Sequence, residues 1–210
     1  KTVLAAPTGR AAKRMSDATG EEAKTVHRML EMERTTDEEM RFCRNARTPL
    51  NENVVVVDEA SMLDLQLMSA LLSAMRRGSR LILIGDSDQL PSVGAGNILA
   101  DVIDSGRIKT VRLTEIFRQS SESLIITNAH KINNGEKMVL NSTDGDFFFV
   151  GRERESDIAE TIATLISDRL PRTYGLSIKE NIKVITPTKK GAGGVETDNR
   201  VLQARLNPSR

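Results

Sequence analysis

Short apolar runs alternate along this chain with longer stretches in which apolar residues recur every three or four positions. Four runs, Val3–Ala6, Val54–Val57, Leu81–Ile84 and Ile182–Ile185, are rich in Val, Ile or Leu and bounded by polar residues. That is the pattern of strands covered on both faces in a parallel sheet. Weaker strands are predicted at Thr110–Leu113 and Asp146–Val150. Met68, Leu71, Leu72 and Met75 predict a helix from Ser61 to Arg77 that stops at Gly78. Ile158, Ile162, Leu165 and Ile166 predict another from Asp157 to Leu170, ending before Pro171. A third helix is expected from about Ser123 to Asn133, closed by Gly135. Strands alternating with helices imply an α/β fold with right-handed crossovers.

Length refines this picture. At a typical ~150 residues per domain, 210 residues make one large domain or two small ones. The change of character around Arg112–Gln119 places a boundary near residue 113, dividing 1–112 from 113–210. The charged stretch Glu31–Arg47, with Met32-Glu-Arg and Met40-Arg-Phe around a polar centre, is compatible with a small inserted hairpin or with a plain surface loop.

A net charge of +1 excludes a polybasic protein but not a local basic groove. At 39% hydrophobic the chain has enough apolar residues for a core, and with no Trp and one Tyr that core is aliphatic and Met-filled. A binding surface of many stacked aromatics is excluded on the same grounds. The single cysteine, Cys43, permits no intramolecular disulfide and has no nearby His or Cys for zinc; a reducing cytoplasmic location is expected. No apolar run approaches the ~18–20 residues of a membrane span. The chain opens inside a strand-like run without an initiator Met, so it is expected to be a piece of something longer.

Polar residues concentrate directly after the apolar runs. In open parallel sheets ligands gather at the carboxyl ends of strands, so these loops should converge. Asp58-Glu59 after four valines is the sharpest feature. An Asp at a strand end can hold Mg²⁺ beside nucleotide phosphates, and the adjacent Glu can deprotonate the attacking water. Alternatively, the pair simply opens the helix that follows. Gln89 after Gly85 can sense a γ-phosphate with its amide, or be an ordinary loop residue. Arg118 is a candidate cation for transition-state charge, or a surface arginine.

Together the motifs form a set. Pro7-Thr-Gly-Arg-Ala-Ala-Lys-Arg-Met15, Val57-Asp-Glu-Ala-Ser-Met62, Gly85-Asp-Ser-Asp-Gln-Leu-Pro-Ser-Val-Gly-Ala-Gly-Asn97, Leu113-Thr-Glu-Ile-Phe-Arg-Gln119 and Thr186-Pro-Thr-Lys-Lys-Gly191 follow in order. The chain thereby resembles superfamily 1 DNA helicases of the RecD type, the exodeoxyribonuclease V alpha-subunit family, over nearly its whole length. The resemblance implies RecA-like parallel sheets flanked by helices, a P-loop NTPase type of fold, in incomplete tandem motor domains. It implies ATP and Mg²⁺ as cofactors and single-stranded DNA and duplex junctions as partners. Other subunits of a nuclease–helicase complex are further possible partners, and movement 5′ to 3′ during repair or recombination is implied. It matches Asp58 and Glu59 to the acidic pair at the metal, Gln89 to the γ-phosphate sensor and Arg118 to the cross-domain arginine.

A nucleic-acid face is expected in four places. Pro7, Thr8 and Arg10 suit phosphate contact, unless Arg10 belongs to a solvated helix face. Thr25 and His27 match a family segment near the DNA. Pro91, Val93 and Asn97 form a loop able to press on bases, or one coupling two domains. Thr186, Lys189 and Lys190 offer a second phosphate grip. One element is missing: no Gly-x-x-x-x-Gly-Lys-Ser/Thr phosphate cradle occurs in the 210 residues. The chain is therefore expected to start after the cradle and to hydrolyse ATP negligibly by itself. The competing readings are a DNA-binding or subunit-docking module without catalysis, and a signalling ATPase that does not use DNA.

Overall fold

The computed structural model describes residues 1–34, 40–113, 123–140 and 145–207. The chain divides into two compact units, Lys1–Glu115 and Ile116–Arg210.

Unit 1 is built on a four-stranded parallel sheet in the order β2-β1-β5-β6. Its strands are β1 (Thr2–Ala6), β2 (Ala23–Thr25), β5 (Val54–Val57) and β6 (Arg80–Leu83). β1 and β5 pair Thr2 to Val54 through Ala5 to Val57, and β5 and β6 pair Val54 to Arg80 through Val57 to Leu83. The helix α1 (Gly9–Thr19) joins β1 to β2 and buries Ala11 and Ala12 near Ala6. Gly20, left-handed at φ 73°, caps its end and donates to the Ser16 carbonyl.

The short helix α2 (Val26–Met29) leads into a two-stranded antiparallel hairpin of β3 (Met32–Arg34) and β4 (Met40–Phe42). The middle of the Glu31–Arg47 stretch lies outside the described residues. Cys43, at the hairpin base, is half-buried. A hydrogen bond to Glu33 pushes its thiol up, with burial and the Glu33 and Glu31 charges acting in the same direction.

The main core lies on one face of the sheet. Ala5, Val55 and Val57 meet Val26, Leu30, Leu63, Leu67 and Leu71 there. The expectation that the strands are covered on both faces fails at β6, where Ile82 and the next apolar residue, Ile84, are 46% and 48% exposed. The reason is reach: α1 lies against β1 and β2 and does not extend to that edge.

The predicted Ser61–Arg77 helix is two pieces. A single 3-10 turn (Ala60–Met62) is followed by α3 (Leu65–Ala74), which ends at Met75, short of Gly78. Asp64 causes the break: it is extended (φ −85°, ψ 171°) and its carboxylate accepts from the Leu67 N–H at 2.7 Å, restarting the helix as an N-cap. Helix α4 (Ile98–Asp104) completes the unit, burying Leu99. Residues Thr110–Leu113 form no strand.

Unit 2 contains α5 (Leu124–Asn133), α6 (Glu155–Thr164), α7 (Leu170–Tyr174), α8 (Ile178–Asn181) and α9 (Val195–Leu206). The strands predicted at Asp146–Val150 and Ile182–Ile185 do not form among the described residues. Ile182 is extended (φ −112°, ψ 131°), but a parallel strand exists only through a neighbour's ladder, and none of the described residues pairs with it. The helix expected to stop before Pro171 instead runs on to Tyr174. A π-turn over Leu165–Arg169 shifts the bonding register just before the proline, which lacks an N–H and crowds the carbonyl four residues back. Gly175 (φ 65°) ends it.

Buried polar groups shape this unit. Asn128 accepts from the Val139 N–H (2.8 Å) and donates to the Val139 carbonyl (3.0 Å), pinning that segment to α5. Asp198, in the first turn of α9, is 3% exposed, and its carboxylate has no hydrogen-bond partner among the described residues. Arg205 of α9 bonds Glu160 (2.8 Å) and Thr164 (3.1 Å), joining α9 to α6.

Asp146 caps α5 from a distance in sequence. It accepts from the Ser123 hydroxyl and from the Leu124 and Ile125 N–H groups at 2.8 and 3.2 Å. The Ser123 hydroxyl first, and those two N–H groups with it, hold its carboxyl below the ordinary Asp value of 3.8. A depressed carboxyl stabilises the fold above its unfolded pKa, and the contribution disappears as pH falls through the folded value. Asp146→Asn should therefore speed hydrogen exchange of the α5 amides at pH 7, and the difference should vanish in acid below the folded pKa. Equal exchange at pH 7 would show that the cap contributes nothing.

Candidate functional site

Because β1, β2, β5 and β6 are parallel neighbours, the loops that leave them emerge along one edge of the sheet. Ala6 is paired with Thr25, so Pro7–Arg10 and Thr25–His27 start side by side. Asp58 follows Val57, the partner of both Ala5 and Leu83. Asp58 and Glu59 thus stand at the centre of that edge, between the loops carrying Thr8 and Gln89.

The turn after β5 is made by an uncommon backbone. The Asp58 N–H donates to the Ala5 carbonyl (3.0 Å), extending the ladder one residue beyond the strand. Glu59 then adopts φ 54°, ψ 39°, left-handed for a side chain that prefers otherwise. Its N–H donates to Asp58 Oδ1 at 2.9 Å, leaving the other Asp58 oxygen uncommitted in that bond. The Ala60 N–H donates to the Ile84 carbonyl (2.8 Å), locking the turn against the neighbouring strand's exit. Gly85 packs closely beside this turn. A Cβ there would lie 2.9 Å from Leu99 Cδ2 and 3.0 Å from the Ala60 nitrogen. Glu59 therefore departs in a different direction from Asp58 and both carboxylates are half-buried.

This donor set fits Mg²⁺. Among the described residues no cluster of three or more His, Cys, Asp or Glu side chains could cage a metal. Mg²⁺ is commonly held by one or two carboxylates together with substrate phosphates and water, which Asp58 at a strand end can supply. The Ser61 hydroxyl, two residues on, is buried with no hydrogen-bond partner among the described residues.

Gln89 is exposed, and its amide donates to Asp86 Oδ2 at a long 3.4 Å. The loop beyond it is built rather than slack. Ser92 Oγ donates to the Gly94 and Gly96 carbonyls (2.9 and 3.1 Å), and the Leu65 N–H donates to the Ala95 carbonyl (2.9 Å). Gly94 presses on Asp64, where an added Cβ would come within 2.7 Å of the Asp64 Cβ. Gly96 sits at φ 101° against Leu65. The result is a fastened loop that leaves Pro91, Val93 and Asn97 exposed, with Val93 fully accessible to solvent. The clamp residues Asp64, Ser92 and Gly94 were not predicted. Asp64 three residues before Leu67 is a helix-start signal in the sequence, but its second role against Gly94 has no sequence signature.

Thr8 and Thr25 are N-caps: their hydroxyl oxygens accept from the Ala11 N–H (3.3 Å) and the Arg28 N–H (3.1 Å). Both hydroxyl protons stay available for a further acceptor. Arg10 is exposed on α1. His27 lies against Phe42 of the hairpin, ring centroids 6.0 Å apart, so its ring has a packing role. In unit 2, the Thr186 hydroxyl donates to the Thr188 carbonyl at 2.7 Å, while Lys189 and Lys190 are exposed. Arg118 lies outside the described residues.

A parallel α/β unit with an acidic pair at the carboxyl end of a central strand defines the class. Residues 1–146 match the AAA domain family, and the chain belongs to it. It is 35% identical over 206 residues to the ATP-dependent RecD2 DNA helicase of Deinococcus radiodurans, covering 98% of this chain and 26% of that protein. It is 38% identical over 154 residues to the RecBCD enzyme subunit RecD of Mycobacterium tuberculosis, covering 65% of this chain and 26% of that one. Identity is 34% over 139 residues to the ATP-dependent DNA helicase dda of Enterobacteria phage T4, over 64% of this chain and 31% of that protein. The chain thus spans about a quarter to a third of these relatives' lengths. Among solved structures, unliganded Pif1 from Bacteroides sp superposes with a TM-score of 0.44 at 23% identity, over 65% of this chain and 37% of that one. The RecD-type resemblance read from the motifs is borne out by the similarity to the RecD2 and RecD relatives. No described helix is long and apolar enough to cross a membrane.

The strain at Glu59 gives a direct test. A non-glycine residue held left-handed costs on the order of 1 kcal/mol, so Glu59→Gly should stabilise unit 1 by about that amount in urea unfolding. A destabilised variant would mean that the Glu59 side chain itself supports the turn.

Proposed function

We propose that this chain is part of an ATP-dependent DNA helicase that translocates 5′ to 3′ on single-stranded DNA and unwinds duplex in repair or recombination. The observation that carries this reading is the acidic pair. Asp58 and Glu59 leave the central strand in different directions through a strained, doubly tethered turn, which a mere helix start would not need.

In this reading Asp58 holds Mg²⁺, which when bound neutralises charge on the nucleotide phosphates. Glu59 accepts the proton of the water that attacks the γ-phosphorus. Gln89 exchanges its long bond to Asp86 for the γ-phosphate, and Arg118 supplies a positive charge to the transition state. Thr8 and Thr25 donate their free hydroxyl protons to DNA phosphates, with Pro7, Arg10 and His27 beside them. Pro91 and Val93 present an apolar tip to the bases, with the Asn97 amide beside them. In unit 2, Lys189 and Lys190 grip the backbone. The boundary near residue 113 separates two partial motor domains, 1–112 and 113–210. In this reading the paired β3–β4 arms serve as a strand-separating pin.

All of these contacts address backbone and shape. Binding should accordingly show weak sequence preference and strong salt dependence.

The test is ATP hydrolysis by the intact parent protein, with and without single-stranded DNA, for wild type and Glu59→Gln. DNA-stimulated turnover should be lost in the variant by a factor of at least ~10² while DNA binding persists. The 210 residues alone, which hold no phosphate cradle, should hydrolyse ATP negligibly. DNA binding without turnover in the wild-type parent would leave the docking-module reading in its place. Turnover indifferent to DNA would favour a signalling ATPase.

A further inference from the structure

The loop Thr186–Gly194 carries the two adjacent lysines, and its shape is dictated from outside. The Val195 and Glu196 N–H groups, in the first turn of α9, donate to the Thr188 and Lys189 carbonyls, both at 3.1 Å. The Thr197 hydroxyl donates to the Gly191 carbonyl at 2.7 Å, and the Gly194 N–H reaches the same carbonyl at 3.3 Å. Gly191 (φ 105°) turns the chain between these anchors. Gly194 is buried where the loop meets the helix. A Cβ on it would lie 2.7 Å from the Lys190 carbonyl oxygen and 2.9 Å from that of Lys189.

This arrangement decides which groups can meet an anion. A helix start normally offers free N–H groups to a phosphate. At α9 the loop carbonyls consume those of Val195 and Glu196. The Thr186 hydroxyl proton is committed to Thr188. What faces solvent is the Lys189 and Lys190 ammonium pair, and neither lysine makes an ion pair among the described residues. Two like charges on consecutive residues repel. Holding their backbone fixed lowers the ordering cost of placing both on neighbouring phosphates.

We propose that Gly194 and Thr197 are positioning residues for a phosphodiester grip whose contacting groups are the Lys189 and Lys190 ammoniums. Thr197 draws the loop onto α9 through Gly191, and Gly194 permits the close approach. The inference rests on the DNA-motor reading above and deepens it.

The experiment measures binding of the intact chain to a fluorescein-labelled oligo(dT) by anisotropy across a range of NaCl concentrations. Replacing both lysines with Ala should make the slope of log K against log[salt] shallower by about 1.4, at about 0.7 per phosphate contact on a single strand. Thr197→Val keeps both lysines but should make the slope shallower by about 0.7, the equivalent of one contact. Gly194→Ala should do the same. Thr197→Ser, which restores the hydroxyl, should restore the wild-type slope, and this rescue guards against a folding defect. A purely structural role would lower the unfolding midpoint of Thr197→Val and leave its slope at the wild-type value, which overturns the proposal while the grip itself stands. A slope unmoved by the lysine double variant would overturn the grip, and the proposal with it.

Discussion

Within unit 1 the candidate site takes its position from one ladder, in which β5 is hydrogen-bonded in parallel between β1 and β6. Parallel pairing sends every strand's exit to the same edge, so the loops from residues 7, 26, 58 and 84 onward leave the sheet side by side. The ladder also continues past the strands themselves. Asp58 bonds back to Ala5 and Ala60 bonds across to Ile84, and these two bonds hold the left-handed Glu59 between them. Loosening either neighbour would release the turn that separates the two carboxylates.

A second theme is that exposed groups are carried on loops fastened at a glycine. Gly94 against Asp64 and Gly194 against the Lys189 and Lys190 carbonyls are close approaches that no side chain permits. In each case a hydroxyl, from Ser92 or Thr197, closes the loop on its own carbonyls. The outcome is that Val93 and the two lysines stand in solvent on a backbone with little freedom. Their backbone is ordered in the fold itself, where packing energy offsets the cost. The same logic accounts for the threonine caps, since Thr8 and Thr25 stabilise their helices with lone pairs and keep their protons for another acceptor.

Much of unit 1 was legible from hydrophobic pattern. Four consecutive valines with acids after them identify β5 and its role in the sheet, because buried parallel strands need such runs. The α5 limits followed from Ser123 and Gly135, whose capping chemistry is local. Legibility failed where the outcome depends on a partner distant in sequence. Ile182–Ile185 reads as a strand, yet among the described residues no neighbour's ladder pairs with it and no strand forms. Pro171 reads as a stop, yet the π-turn before it lets the helix pass. Ile82 and Ile84 read as doubly covered, yet no described helix reaches their outer face.

The amino-acid sequence by itself determined the α/β alternation, the order of the motifs and the family to which they belong, because residue type and spacing carry those directly. It also named the residues that bear charge at the site. Only the tertiary structure decided how they are aimed. The left-handed Glu59, the clamp of Gly94 on Asp64 and the tether of Thr197 to Gly191 each depend on two segments meeting in space. Hydrogen bonds and steric exclusion act over a few ångströms regardless of chain separation, so a linear pattern records the residue and not the neighbour that gives it its task.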